Sequence, residues 1–159
     1  MSMERAKEHL KTYELEGKIR VFTVSSATVE LAAQALGCEE CRIAKTLSFD
    51  QNGDTVLVVA AGDAKVDNAR YKAAFGCKAR MVPAAEVEQR VGHAVGGVCP
   101  FGVREGVRVY LDESLRRFDV VYPACGTADS AVELTLEELE RSSGSVGWLD
   151  VCKGWREDD

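Results

Sequence analysis

Lys45 stands in a row of hydrocarbon side chains. In a strand over residues 43–49, period two puts Ile43, Lys45, Leu47 and Phe49 on one face and Ala44, Thr46 and Ser48 on the other. A buried amine is unfavourable unless it is paired or its pKa falls, so a lysine there points to a site with apolar walls that opens to a ligand. The competing reading is a lysine near a strand end that lifts its ammonium to water along its own stem. A second feature runs through Gly92, His93, Ala94, Val95, Gly96, Gly97, Val98, Cys99, Pro100, Phe101 and Gly102, with four glycines and one proline in eleven residues. Glycine opens conformations closed to other residues, while Pro100 fixes its own torsion and restrains Cys99, so the run reads as a shaped loop. Amides held by such a loop suit a carbonyl under attack. An ordinary structural loop has the same composition, and the run matches neither the phosphate loop nor the dinucleotide fingerprint.

A third segment, Ala124, Cys125, Gly126, Thr127 and Ala128, is built of small residues between two expected strands and offers another wall for the same pocket. Other candidates carry less. Cys38 and Cys41 have the spacing of a metal knuckle or redox pair, but no second Cys or His pair completes a zinc site. His93 has the chemistry of an acid or base, yet a histidine beside glycines also serves as a hydrogen-bonded loop residue. Cys99 has the chemistry of a nucleophile, with no base or Asp partner assignable from sequence.

Around these residues the elements follow from periodicity. Met3, Ala6, Leu10 and Tyr13 fall at helical spacing with Gly17 as a stop. A strand is expected over 19–24, then a helix capped by Ser26 that carries Val29, Ala32, Ala33 and Leu36 to Gly37. Strands 43–49 and 55–61 flank Asn52 and Gly53, the signature of an antiparallel hairpin. Asp67 starts a short helix ending at Gly76, residues 77–82 read as strand, and Pro83 opens a helix that stops at Gly92. After the loop come a strand around Val107, Val109 and Leu111, a helical turn over 114–118, short strands over 120–122 and 131–134, and a last helix behind a Thr135/Glu138 capping box. Hairpins and helices both join the strands, so the expected class is α+β, a mixed, curled, barrel-like sheet with helices outside. The tail after Lys153, with Glu157, Asp158 and Asp159, is expected to fray.

At 159 residues the chain fits one domain, 1–159, around one core. Residues 1–15 mix charge with apolar positions, and no span of about 20 apolar residues occurs, so export and membrane insertion are not expected and the location is cytoplasmic. Six cysteines then read as reduced thiols. A net charge of −6 argues against coating nucleic acid, DNA included, though a few basic residues still suit one RNA end.

Taken in order, Leu36-Gly37, Arg42-Ile43-Ala44-Lys45-Thr46-Leu47, Gly62-Asp63, Val66-Asp67, the 92–102 loop and Gly126 ahead of Leu134-Thr135 resemble the YbaK/ProX aminoacyl-tRNA deacylases. The resemblance spans about residues 24–140, and its two specific parts are the Lys-Thr-Leu strand and the Gly-Gly-x-x-Pro-x-Gly loop. It implies an editing-domain fold and a trans-acting hydrolase that cleaves the ester of mischarged aminoacyl-tRNA without metal or cofactor. The implied partners are the aminoacyl 3′ end of tRNA and an aminoacyl-tRNA synthetase. Lys45 would be the catalytic residue, holding the aminoacyl-adenosine end or steadying charge near the ester. Gly96, Gly97, Val98, Cys99, Pro100, Phe101, Gly126, Thr127 and His93 would bind substrate, and water or a substrate group would be the nucleophile. The alternative is a non-catalytic tRNA- or synthetase-binding adaptor that keeps the pocket. Two departures, Cys99 where many relatives have serine and no histidine near Ser25 and Ser26, bear on which amino acid is removed.

Overall fold

Residues 2–156 are described by a computed structural model of the chain. The organising unit is the hairpin of β2 (Ile43–Gln51) and β3 (Asp54–Ala61), paired antiparallel from Ala44↔Ala61 to Gln51↔Asp54. Asn52 (φ 54°) and Gly53 (φ 95°) make the turn with the left-handed backbone such hairpins require. From Val56 to Ala61 every β3 residue has no exposed surface, as a strand covered on both faces must.

On the far side of β3 lie β5 (Arg108–Asp112) and then β9 (Gly147–Leu149), both parallel to their inner neighbour. On the far side of β2 lie β6 (Val120–Pro123), parallel, and β8 (Leu134–Thr135), antiparallel to β6. The result is a mixed, curled six-stranded sheet in an α+β fold. Two small pairings close its ends, β1 (Ile19–Val21) with β7 (Ser130–Val132) and β4 (Lys65–Val66) with β10 (Cys152–Lys153).

Helices cover the sheet. In α1 (Ser2–Lys11), Ala6 and Leu10 are fully buried; the helix ends before Tyr13, and the left-handed residue that turns the chain is Glu14 (φ 62°), not Gly17. In α2 (Val29–Leu36) the cap is Thr28, whose side chain accepts from the Leu31 amide at 3.1 Å; Ser26 instead donates to the Ala128 carbonyl at 3.2 Å. α3 (Asn68–Phe75) is capped by Asp67 as expected, and α4 (Ala84–Val91) follows Pro83 and stops at Gly92. α5 (Leu136–Ser143) carries the full Thr135/Glu138 capping box, a motif whose cap contributes about 1 kcal/mol.

Several expected strands are shorter or divided. The 19–24 strand keeps three residues, 131–134 splits around Glu133, and 77–82 reduces to a single bridge of Met81 to Phe49. Pro83 lacks an amide hydrogen, which stops that segment from extending its ladder. The short β4, β9 and β10 fall below the length at which alternation is visible. Trp155 donates its indole N–H to the Cys152 carbonyl at 3.2 Å, so the tail is held through there; residues 157–159 lie outside the described ones.

Candidate active site

The two outer partners of β2 leave a gap between them. β6 pairs only with Ile43 and Ala44. Beyond the gap, the Val82 amide donates to the Ser48 carbonyl at 3.0 Å and the Asp50 amide to the Arg80 carbonyl at 2.7 Å. Residues 45–47 therefore have β3 on one edge and, among the described residues, no strand on the other.

A cavity of about 380 Å³ occupies this gap. Its floor is the 43–48 stretch of β2, with residues from both faces contributing. Val29 and Ala32 of α2, Met81 and Val82, Val87 of α4, Val95 and Val98 of the glycine loop, and Tyr122 and Ala131 complete walls that are mostly hydrocarbon. Met81 and Val95 are largely exposed, at 53% and 62%, which marks them as rim. The wall is braced from outside by Arg90 of α4, which donates to Asp50 at 2.7 Å and to Thr55 at 3.0 Å.

Lys45 lines this cavity and is half-buried. Its ammonium donates to the carbonyls of Gly62, at 3.3 Å, and Ala64, just after β3. Burial pulls its pKa below the ordinary lysine value, opposed by the nearby acidic groups. Two of its three N–H bonds are thus committed to the frame and one is left for a ligand. Next to it, the Thr46 hydroxyl is buried without a hydrogen-bond partner.

The glycine loop divides. Gly96 (φ 95°) and Val98 line the cavity. Gly97 backs onto the small-residue segment so closely that a Cβ there would meet Gly126 and Thr127 backbone atoms at 2.5 Å. Gly126 and Thr127 therefore support the loop from behind rather than face a ligand, Thr127 bonding Asp129 and Ser130 through its hydroxyl. The second half of the loop turns inward. His93, Cys99 and Phe101 have no exposed surface, and Pro100 is buried. His93 Nε2 lies 2.5 Å from the Phe101 carbonyl, to which it donates, and 3.5 Å from the Cys99 sulfur. Burial lowers the His93 pKa and pushes the Cys99 thiol far up, and neither residue lines the cavity. The expected substrate-binding residues His93, Cys99, Pro100 and Phe101 thus lie outside the cavity lining, packed into the core beside it.

Sequence periodicity missed Thr46, Ser48, Met81 and Tyr122 as cavity residues, because it assigns faces within one strand and is blind to a break in a neighbour's pairing. Pro83 and Pro123, which limit the two flanking segments, were the available signal. Cys38 and Cys41 are free thiols, both raised by burial, and Cys38 lines a second depression with Arg42 and Tyr122. Among the described residues no cluster of three or more His, Cys, Asp or Glu is arranged to hold a metal. Nor is any helix among them long and apolar enough to cross a membrane.

An α+β frame with an apolar, lysine-bearing cavity beside a glycine loop is shared with known proteins. The chain belongs to the aminoacyl-tRNA editing domain family, whose model matches residues 23–142. It is 51% identical to the uncharacterized protein YwhH of Bacillus subtilis, over 98% of this chain and 99% of that one. It is 26% identical over 133 residues to the proline–tRNA ligase of Lysinibacillus sphaericus, and there the match takes in 83% of this chain but 23% of the ligase. The crystal structure of a candidate trans-editing enzyme for prolyl tRNA synthetase superposes with a TM-score of 0.86 at 30% identity, covering 96% of this chain and 98% of that one. These matches give the chain a role in aminoacyl-tRNA editing.

Proposed function

We propose that the chain is a trans-acting deacylase that hydrolyses the ester linking a wrong amino acid to the 3′ end of tRNA. The observation that carries this reading is one apolar cavity shared by the Lys45 stem and the Gly96–Val98 backbone. Its volume, about 380 Å³, lies at the lower end of small-molecule sites and suits an amino acid rather than a large ligand.

An aminoacyl ester is already activated, so moderate assistance suffices. Water adds to the carbonyl carbon, the carbonyl oxygen takes up negative charge, and the ribose oxygen leaves with a proton, giving a free amino acid and an uncharged tRNA. Lys45, held by the Gly62 and Ala64 carbonyls, supplies a fixed positive charge near the ester. The Gly96 and Val98 amides supply donors that need no reorganisation at the moment of reaction, while the Gly97 amide holds the loop by donating to the Ala94 carbonyl at 3.0 Å. The hydrocarbon walls select by size, where one methylene is worth about 1–3 kcal/mol, and a second hydrolytic sieve multiplies that discrimination. This chemistry uses no cofactor, and the partners are the aminoacyl end of tRNA and, through it, a synthetase.

Incubation with a panel of mischarged tRNAs tests the reading. Release of at least one amino acid above the spontaneous rate is expected, with Lys45→Ala near background. Tight tRNA or synthetase binding with unchanged ester levels would instead identify an adaptor.

A further inference from the structure

The break in β2 pairing exposes more than a hydrophobic floor. Along β2 the outward-facing backbone groups alternate. Ala44 meets β6, while Ser48 and Asp50 bond the 80–82 segment. Thr46 has the same parity, so its N–H and C=O point to the same edge, and there no strand of the described residues meets them. Its hydroxyl is buried and unpartnered as well. One residue thus presents a donor, an acceptor and a hydroxyl to a mostly hydrocarbon cavity. Buried polar groups are nearly always paired, so this cluster points to a ligand.

An antiparallel ladder shows what fits. Two opposed residues exchange N–H···O=C bonds in both directions, each offering a donor and an acceptor separated by one Cα. An α-aminoacyl ester has that same arrangement, its ammonium and its carbonyl flanking one Cα. We propose that Thr46 binds the aminoacyl group as a one-residue strand: its carbonyl accepts from the α-ammonium and its amide donates to the ester carbonyl. The substrate class is then acyl esters that carry an N–H donor on the α-carbon, and des-amino acyl esters are disfavoured. This rests on the deacylase reading and adds to it a residue and a discrimination. Strand addition to an open edge is an established mode of peptide recognition, used here for a single residue.

Two measurements test the proposal. The first compares an aminoacyl-tRNA that the protein cleaves with the same ester lacking its α-amino group, and compares binding of the corresponding non-hydrolysable 3′-aminoacylamido-adenosine with that of its des-amino analogue. At least a ten-fold preference for the form with the amine is expected in both, since the Thr46 carbonyl otherwise loses its donor. Equal handling of the two forms overturns the proposal. If nothing is cleaved, the deacylase reading fails and the binding comparison still judges Thr46. The second is Thr46→Pro, which removes the outward amide hydrogen and no bond to β3. At least a ten-fold loss of analogue binding is expected, with circular dichroism showing an intact fold. Unchanged binding by the folded variant overturns the proposal, and if the variant does not fold the first comparison alone decides.

Discussion

The two halves of the 92–102 loop share a composition and do different work. Gly96 and Val98 border a cavity, where backbone lies open beside Lys45. Three residues on, Cys99 and Phe101 are sealed in the core with His93, whose Nε2 meets the Phe101 carbonyl and the Cys99 sulfur. The loop's reactive side-chain types are therefore sealed in the core, and what borders the cavity is backbone with Val95 and Val98. In the proposed reading, chemistry at this site comes from position and unpaired groups.

Mutations on each side of that divide should separate activity from stability. Lys45→Ala is expected to lower kcat/KM by about 100-fold or more, as loss of a preorganised charge or donor does, while circular dichroism shows an intact fold. Gly97→Ala should reduce activity about ten-fold and stability by roughly 1–3 kcal/mol, because its Cβ has no room against Gly126 and Thr127. Cys99→Ala should cost roughly 1–2 kcal/mol in chemical denaturation yet leave kcat/KM per folded molecule unchanged. An activity loss for Cys99→Ala equal to that of Lys45→Ala would erase the distinction.

Titration draws the same contrast. The ammonium of Lys45 is the useful form and its pKa is depressed by burial, so activity should decline as pH rises through that lowered value, short of the ordinary 10.5. His93 acts on stability instead. Its folded pKa lies below the unfolded one, so the unfolded chain binds the proton first; its contribution is present above about pH 6.5 and is lost as pH falls through the folded value. Thermal denaturation from pH 7 to 5 should show the loss, and His93→Gln should reduce that pH dependence. The smallest effect is at Asp63, between the two carbonyls that hold Lys45. It is paired with Arg117 at 2.9 Å but partly exposed, so Asp63→Asn should cost about 0.5–1 kcal/mol.

Much of this was legible in the residues. Asn52-Gly53 announced the central hairpin, Thr135 with Glu138 announced α5, and Lys45 among Ile43, Leu47 and Phe49 announced a site. What was hidden depends on distant pairing. Thr46 looks like any strand threonine until β6 is seen to stop at Ala44 and the 80–82 segment to begin at Ser48. Likewise nothing local distinguishes Val98, at the cavity, from Cys99, in the core, since the burial of Cys99 is set by His93 and Phe101 around it. Short strands such as β9 owe their existence to the neighbour they pair with, which propensity does not record.

The most direct test locates the ligand. Titrating the non-hydrolysable 3′-aminoacylamido-adenosine into isotope-labelled protein should shift the amide resonances of Lys45, Thr46, Gly96 and Val98 in a saturable way, leaving those around Cys38 and Cys41 unmoved. Saturable shifts confined to the Cys38 depression, or no shifts at ligand concentrations that block deacylation, would contradict the assignment of the β2 gap as the place where the ester is held.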